Sequence, residues 1–178
     1  MVNVRDLRSA DLEAVTRIYA HHVAHGTGTF DEVAPSLAEM AEKYETLRAA
    51  GLPWLIAEAD GDILGYAYAA PFRTRTAYRF TLEDSVYIAP GAQRRGVGRA
   101  LLAALIARCE ALGYRQLLAV IGDSENHGSV GLHRALGFTH TGTSKSVGLK
   151  FGRWLDVVFM QLSLGEGDKT PPNDASTA

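Results

Sequence analysis

Gln93-Arg94-Arg95-Gly96-Val97-Gly98 carries the sharpest chemical signal in this chain. The two glycines open a segment in which Leu101, Leu102, Leu105, Ile106, Cys109 and Leu112 recur at helical spacing, and Gly113 supplies a stop. Glycines at a helix start let the backbone approach a ligand closely, and the N–H groups left unpaired there attract anions. A diphosphate is the expected ligand, with Arg94, Arg95 and Arg99 adding charge. Two common phosphate patterns fail. A nucleotide-triphosphatase loop needs Lys and then Ser or Thr after its second glycine; Gly91 and Gly96 have that separation, but Val97-Gly98 follow. The dinucleotide fingerprint needs a third Gly or Ala where Gly96-Val97-Gly98 runs on through Arg99-Ala100 to Leu101, and it belongs near the start of a strand–helix–strand domain. A tight turn without a ligand is the plain alternative.

Upstream, Glu83 lies on a run from Phe80 to Ile88 that is otherwise rich in apolar and aromatic residues. Such a carboxylate is either exposed on the solvent face of a strand or a general base whose pKa is raised by desolvation. Strand alternation sends Asp84 to the opposite face, so the two acids cannot serve one pocket. Arg73 and Arg75, in the polar stretch 71–79, are spaced to grip an anion by paired hydrogen bonds. His21, His22 and His25 include an i,i+4 pair, but no cysteine accompanies them and no metal is expected.

These residues need elements to hold them. Val2 to Leu7 alternates as a first strand, and Ser9 is placed to cap a helix whose Leu12, Val15, Ile18, Tyr19 and His22 share a face. Gly26-Thr27-Gly28-Thr29 breaks that helix. Ser36-Leu37-Ala38-Glu39 is a capping box for a second helix, which ends at Gly51. Trp54 to Ala59 and Ile63 to Ala70 read as strands about an Asp60-Gly61 turn. A strand at 80–89 precedes the glycine loop and a helix at 97–112. Leu117 to Ile121 reads as a strand buried on both faces, followed by a short helix over 126–136. Phe138 to Val147 and Trp154 to Leu164 are the last strands. Residues 165–178 are polar and proline-containing and are expected to be a disordered tail after one domain spanning 1–164.

A third glycine pattern, Gln/Arg-x-x-Gly-x-Gly/Ala after a strand, is matched by Gln93, Gly96 and Gly98. It resembles the acetyl-coenzyme A loop of the GNAT superfamily of N-acetyltransferases. The element order agrees, and His133-Arg134-Ala135-Leu136-Gly137-Phe138 is similar to that superfamily's Tyr-x-x-x-Gly-Phe segment, with His in place of Tyr. Arg75, Tyr78, Thr81, Glu83, Ser85, Val86 and Tyr87, then Ala119 to Gly122, then Lys150-Phe151-Gly152-x-Trp154-x-Asp156 resemble the bacterial phosphinothricin/methionine sulfoximine acetyltransferase group. The resemblance runs from residue 2 to about 164.

It implies an α/β (α+β) GNAT fold: a twisted, mixed but mostly antiparallel sheet of about seven strands, splayed at its centre and flanked by about four helices. It implies acetyl-CoA as co-substrate and the α-amine of a small amino acid analogue as acceptor, a reaction that underlies antibiotic and herbicide resistance. By the same likeness Glu83 is the general base, acting directly or through water. His133 takes the place of the Tyr that protonates the departing thiolate, though a hydrogen-bonded helix histidine is an equal alternative. Val86, Tyr87 and Ile88 would bind the thioester and pantetheine arm through their backbone, Arg94 to Arg99 (with Gly96, Val97 and Gly98) the diphosphate, and Asn126 the pantetheine arm or simply its own helix as a cap. Phe30, Arg73, Arg75, Tyr78 and Tyr87 would shape the acceptor site, with Arg75 the better match. Related enzymes are commonly homodimers, and the strand bearing Trp154 and Asp156 is where such a contact is expected.

Composition sets limits on other functions. A net charge of −2 argues against nucleic-acid and membrane partners, and no apolar run is long enough to span a bilayer. One cysteine, Cys109, excludes an internal disulfide and fits a cytoplasmic protein. Two readings compete with the leading one. A peptide or protein amine as acceptor would call for an open groove without the arginines, and a non-catalytic acetyl-CoA sensor would have no need of Glu83.

Overall fold

The computed structural model describes residues 2–172. Its order is β1 (Asn3–Asp6), α1 (Leu12–His25), α2 (Leu37–Ala49), β2 (Trp54–Ala59), β3 (Asp62–Pro71), β4 (Thr81–Ile88), α3 (Val97–Ala111), β5 (Gln116–Gly122), α4 (His127–Ala135), β6 (Thr139–Lys150) and β7 (Arg153–Ser163). The seven strands form one sheet in the order β1-β2-β3-β4-β5-β7-β6. Only the β4–β5 pair at its centre is parallel.

That parallel pair is short. β4 meets β5 from Thr81↔Gln116 to Asp84↔Ala119 and no further. Beyond it β4 stays with β3 as far as Ile88↔Gly65, while β5 follows β7 as far as Gly122↔Val157. The sheet therefore opens at its centre, leaving one edge of Val86–Ile88 outside the β4–β5 ladder. α1 and α2 cover one face of the β2–β4 half, and α3 packs Leu101, Leu102, Leu105 and Cys109 on the other. Buried apolar side chains on both sides supply most of the favourable free energy of folding.

Local signals account for most element ends. Ser36 Oγ accepts from the Glu39 N–H and the Glu39 carboxylate from the Ser36 N–H, so the capping box forms as the sequence predicts. Asp60 and Gly61 both take positive φ (53° and 89°), the conformation that a two-residue hairpin turn requires.

Two expectations are corrected. Ser9 does not cap α1. The chain enters through a 3-10 turn, and Asp11 accepts from the Arg8 N–H at 2.7 Å while also holding Arg5. β5 is not buried on both faces: Leu117, Ala119 and Ile121 are buried, but Leu118 and Val120 are only partly so. α4, which meets β5 and β6, lies on the other side, where its His133 bonds Asp84. Of the expected tail, residues 165–168 form a turn, and the Arg115 guanidinium donates to Gly167 O, Thr170 Oγ1 and Pro171 O. The rest of the expected tail, 173–178, lies outside the described residues. Among those described, no helix is long and apolar enough to cross a membrane.

Candidate active site

The glycine loop folds as an anion cradle. Gly96 is the N-cap of α3 at φ 79°, a left-handed conformation in which a Cβ would be strained, and no side chain caps the helix. The first intrahelical bond there is Ala100 N–H to Gly96 O. The preceding N–H groups of Val97, Gly98 and Arg99 have no intrahelical acceptor. Arg94, Arg95 and Arg99 lie exposed around them. Gly98 allows α4 to come close: a Cβ there would stand 3.2 Å from Leu132 Cδ2. This cradle sits at the end of β4, where the sheet has opened.

Glu83 faces the other side of β4, into a cavity of about 470 Å³ over the uncovered half of the sheet. Arg73 and Phe72 form one wall, Val120 and Val157 part of its floor, and Ser144 and Val147 the far side. The volume is that of a small-molecule site. Burial pushes the Glu83 carboxyl above the usual range, and the Asp84 carboxylate adds to the rise; Lys43 and Arg73 oppose it. The result is a carboxylate with more than ordinary basicity beside a cation able to hold an anionic group.

Asp84 and His133 form a second unit on the opposite face. Asp84 Oδ2 lies 2.9 Å from His133 Nε2, and His133 Nδ1 lies 2.7 Å from Ser129 O. Both side chains are almost wholly buried. Two acceptors on the two ring nitrogens require two N–H donors, which describes an imidazolium paired with a carboxylate. Burial works against the charged ring, but the hydrogen bond and charge of Asp84, with the Ser129 carbonyl, prevail and raise its pKa. Of the two expectations for His133, the hydrogen-bonded helix histidine describes these surroundings. Both of its nitrogens are engaged, and it stands across β4 from Glu83, tying α4 to the strand. Cys109 lies near the pair; burial and the Asp84 charge push its thiol up to about 12.

The other predicted residues divide. Both arginines are exposed; Arg73 lines the cavity, and Arg75 is the N-cap of a 3-10 turn over Thr76–Tyr78. Tyr78 reaches the cavity rim only by its edge contact with Phe72, centroids 5.7 Å apart. Tyr87 packs beneath α1, with Tyr19, His22 and Tyr66 around its ring. Phe30 lies over Gly122, which pairs with Val157, and over Gly148. Asn126 caps α4, accepting from the Ser129 N–H at 3.2 Å, while its Nδ2 stands near Gly28. Lys43, which donates to Tyr68 Oη at 2.6 Å and adds positive charge near Glu83, had no signal in the sequence beyond its place on α2. Phe72 was legible only as a neighbour of Arg73. Among the described residues no cluster of three or more His, Cys, Asp or Glu side chains could hold a metal; His22 instead meets Ile88 O at 2.8 Å.

Residues 15–138 match the Acetyltransferase (GNAT) family. The chain belongs to the GNAT acetyltransferase family. It is 59% identical over 169 residues to phosphinothricin N-acetyltransferase of Alcaligenes faecalis, covering 95% of this chain and 86% of that one. To the L-methionine sulfoximine/L-methionine sulfone acetyltransferase of Salmonella typhimurium it is 39% identical over 165 residues, 93% and 96% of the two chains. A crystal structure of a GNAT superfamily phosphinothricin acetyltransferase from Sinorhizobium meliloti, in complex with AcCoA, superposes with a TM-score of 0.95 at 48% identity, covering 98% of this chain and 94% of that one. The seven-stranded opened sheet is thus the GNAT fold, and the chain is an N-acetyltransferase similar over nearly its whole length to phosphinothricin and methionine sulfoximine acetyltransferases.

Proposed function

We propose that this GNAT enzyme transfers the acetyl group of acetyl-CoA to the α-amine of a small amino acid bearing a phosphinate, sulfoximine or sulfone group, with Glu83 as general base. The observation that carries the reading is the raised Glu83 carboxyl beside Arg73 in a small cavity, at the level where β4 and β5 part. Acetyl-CoA supplies an activated acyl group as a thioester. The residues present fit it: the uncapped α3 N-terminus with Arg94, Arg95 and Arg99 suits the diphosphate. The open edge of Val86–Ile88 suits the pantetheine arm and offers backbone N–H groups to the carbonyl oxygen.

In this reading Glu83, directly or through one water, takes a proton from the acceptor's ammonium. The freed nitrogen lone pair attacks the acyl carbon. The nitrogen–carbon bond forms, the nitrogen sheds its second proton to solvent, the carbon–sulfur bond breaks, and the thiolate takes up a proton from solvent, since His133 is committed to Asp84 and Ser129. Arg73 holds the acceptor's carboxylate or its tetrahedral group. Asn126 adds a polar contact along the arm. The cavity suits a compact amino acid better than a peptide.

We also propose a homodimer through the β6–β7 hairpin. Val147, Leu149, Phe151 and Trp154 are 57%, 55%, 55% and 66% exposed there, more apolar surface than a lone hairpin keeps in water without a partner.

Thiol release from acetyl-CoA, measured with phosphinothricin, methionine sulfoximine, methionine sulfone, methionine and an unrelated peptide, tests the reading. Selective turnover of the tetrahedral analogues is expected. Silence with all four amino acids, or preference for the peptide, would contradict it.

A further inference from the structure

Lys150, at the end of β6, is only 2% exposed, and its Nζ donates to Gly26 O and Thr29 O, both at 2.9 Å. Burial lowers its pKa, against the opposing charges of Asp31 and Glu32. A buried ammonium satisfied by two carbonyls of one turn is a costly arrangement, which persists only if the turn must be held. That turn, Gly26-Thr27-Gly28-Thr29, has little rigidity of its own. Other groups fix it as well: Thr27 Oγ1 donates to Asp123 Oδ2 at 2.7 Å, and Tyr19 Oη meets Thr29 Oγ1 at 2.8 Å.

The turn delivers Phe30. A Cβ on Gly148 would stand 2.3 Å from Phe30 Cε2, and a Cβ on Gly122 would stand 2.9 Å from Phe30 Cε1 and 2.5 Å from Thr27 O. Two strands have thus left out side chains where this ring lies. Gly122 is two residues beyond Val120 on β5, hence on the same face, and it pairs with Val157. Val120 and Val157 are cavity floor. The ring therefore stands on the same face of the sheet as Val120 and Val157, over the strand positions that follow them.

We infer that Lys150 is a positioning residue for acceptor selection: its ammonium locks the Gly26–Thr29 turn so that Phe30, seated in the Gly122/Gly148 slot, forms the end wall of the acceptor pocket. The inference rests on the proposed site of amine acetylation. Lys150 touches neither Glu83 nor the glycine loop, and the turn it holds meets Asn126 only at Gly28, so its influence falls chiefly on the acceptor.

The test pairs hydrogen exchange with kinetics on the full chain. Lys150→Met should raise amide exchange across residues 26–30 without loosening β4 or α3, and should raise the acceptor KM at least tenfold while the acetyl-CoA KM stays within twofold. Gly148→Ala, which keeps the lysine but fills the slot, should change the acceptor KM in the same selective way. In a Phe30→Ala background neither substitution should have much further effect on the acceptor KM, because the ring through which both act is gone. Unchanged exchange in Lys150→Met, equal weakening of both substrates, or full effects persisting without the Phe30 ring would each overturn the inference. Silence of the wild type toward every amino acid would instead defeat the proposed reaction, and the exchange result would still decide whether Lys150 holds the turn.

Discussion

Two adjacent acids on β4 have opposite fates because a strand sends neighbouring side chains to opposite faces. Glu83 meets a cavity and Arg73, while Asp84 meets a buried imidazolium. Removing one partner of such a buried pair strands a charge, so Asp84→Asn or His133→Phe should lower stability by about 3–5 kcal/mol in urea unfolding. The pair should also give stability a pH dependence. The His133 pKa is raised in the folded state, so its stabilisation is complete below the ordinary imidazole range and is lost as pH rises through the higher folded value. Unfolding midpoints should fall on the alkaline side of neutrality in the wild type, and His133→Phe should flatten that slope. An unchanged slope would deny the pairing. Of the two pocket arginine candidates, Arg73 is the one at the cavity. Arg73→Ala should therefore reduce acceptor kcat/KM by roughly 10- to 100-fold, the worth of a charge-assisted hydrogen bond, with Arg75→Ala the milder change. The reverse order would place the anion clamp on the 3-10 turn.

At the scale of elements, the glycine loop works through backbone geometry. Gly96→Ala puts a side chain at φ 79°, which should cost about 1–2 kcal/mol and raise the acetyl-CoA KM selectively. A selective rise in the acceptor KM would contradict the assignment of this loop. This loop, the Ser36–Glu39 box and the Asp60-Gly61 turn were legible in the sequence because each depends on neighbours within a few positions. Long-range partners were not. The Asp84–His133 pair joins residues 49 apart, and Lys150 reaches Gly26 and Thr29 over 124 and 121 residues. The apolar run Leu117–Ile121 could not reveal that one of its faces floors a cavity, since an uncovered apolar pocket and a buried core demand the same side chains. Ser9 looked like a cap for a similar reason: nothing local announced that Asp11 would be held by Arg5 from β1.

For the whole molecule, the opened sheet sets the proposed coenzyme cradle apart from the proposed acceptor cavity. The glycine loop presents the α3 side with donors for an anion, the Glu83 cavity lies on the other face, and the gap between β4 and β5 connects them. The exposed β6–β7 hairpin is the place where a second copy should dock. Sedimentation should show a dimer that Trp154→Glu dissociates, whereas a wild-type monomer at micromolar concentration would contradict the proposed interface. The central claim is that Glu83 is the base, and its most direct test is the pH profile of turnover with saturating acetyl-CoA and phosphinothricin. The wild type should gain activity as pH rises through an acidic limb above the ordinary glutamate range. Glu83→Gln should lose that limb and on the order of 100-fold or more in turnover, with acetyl-CoA binding intact. A Glu83→Gln enzyme that keeps near-wild-type turnover and the same limb would remove Glu83 from the chemistry.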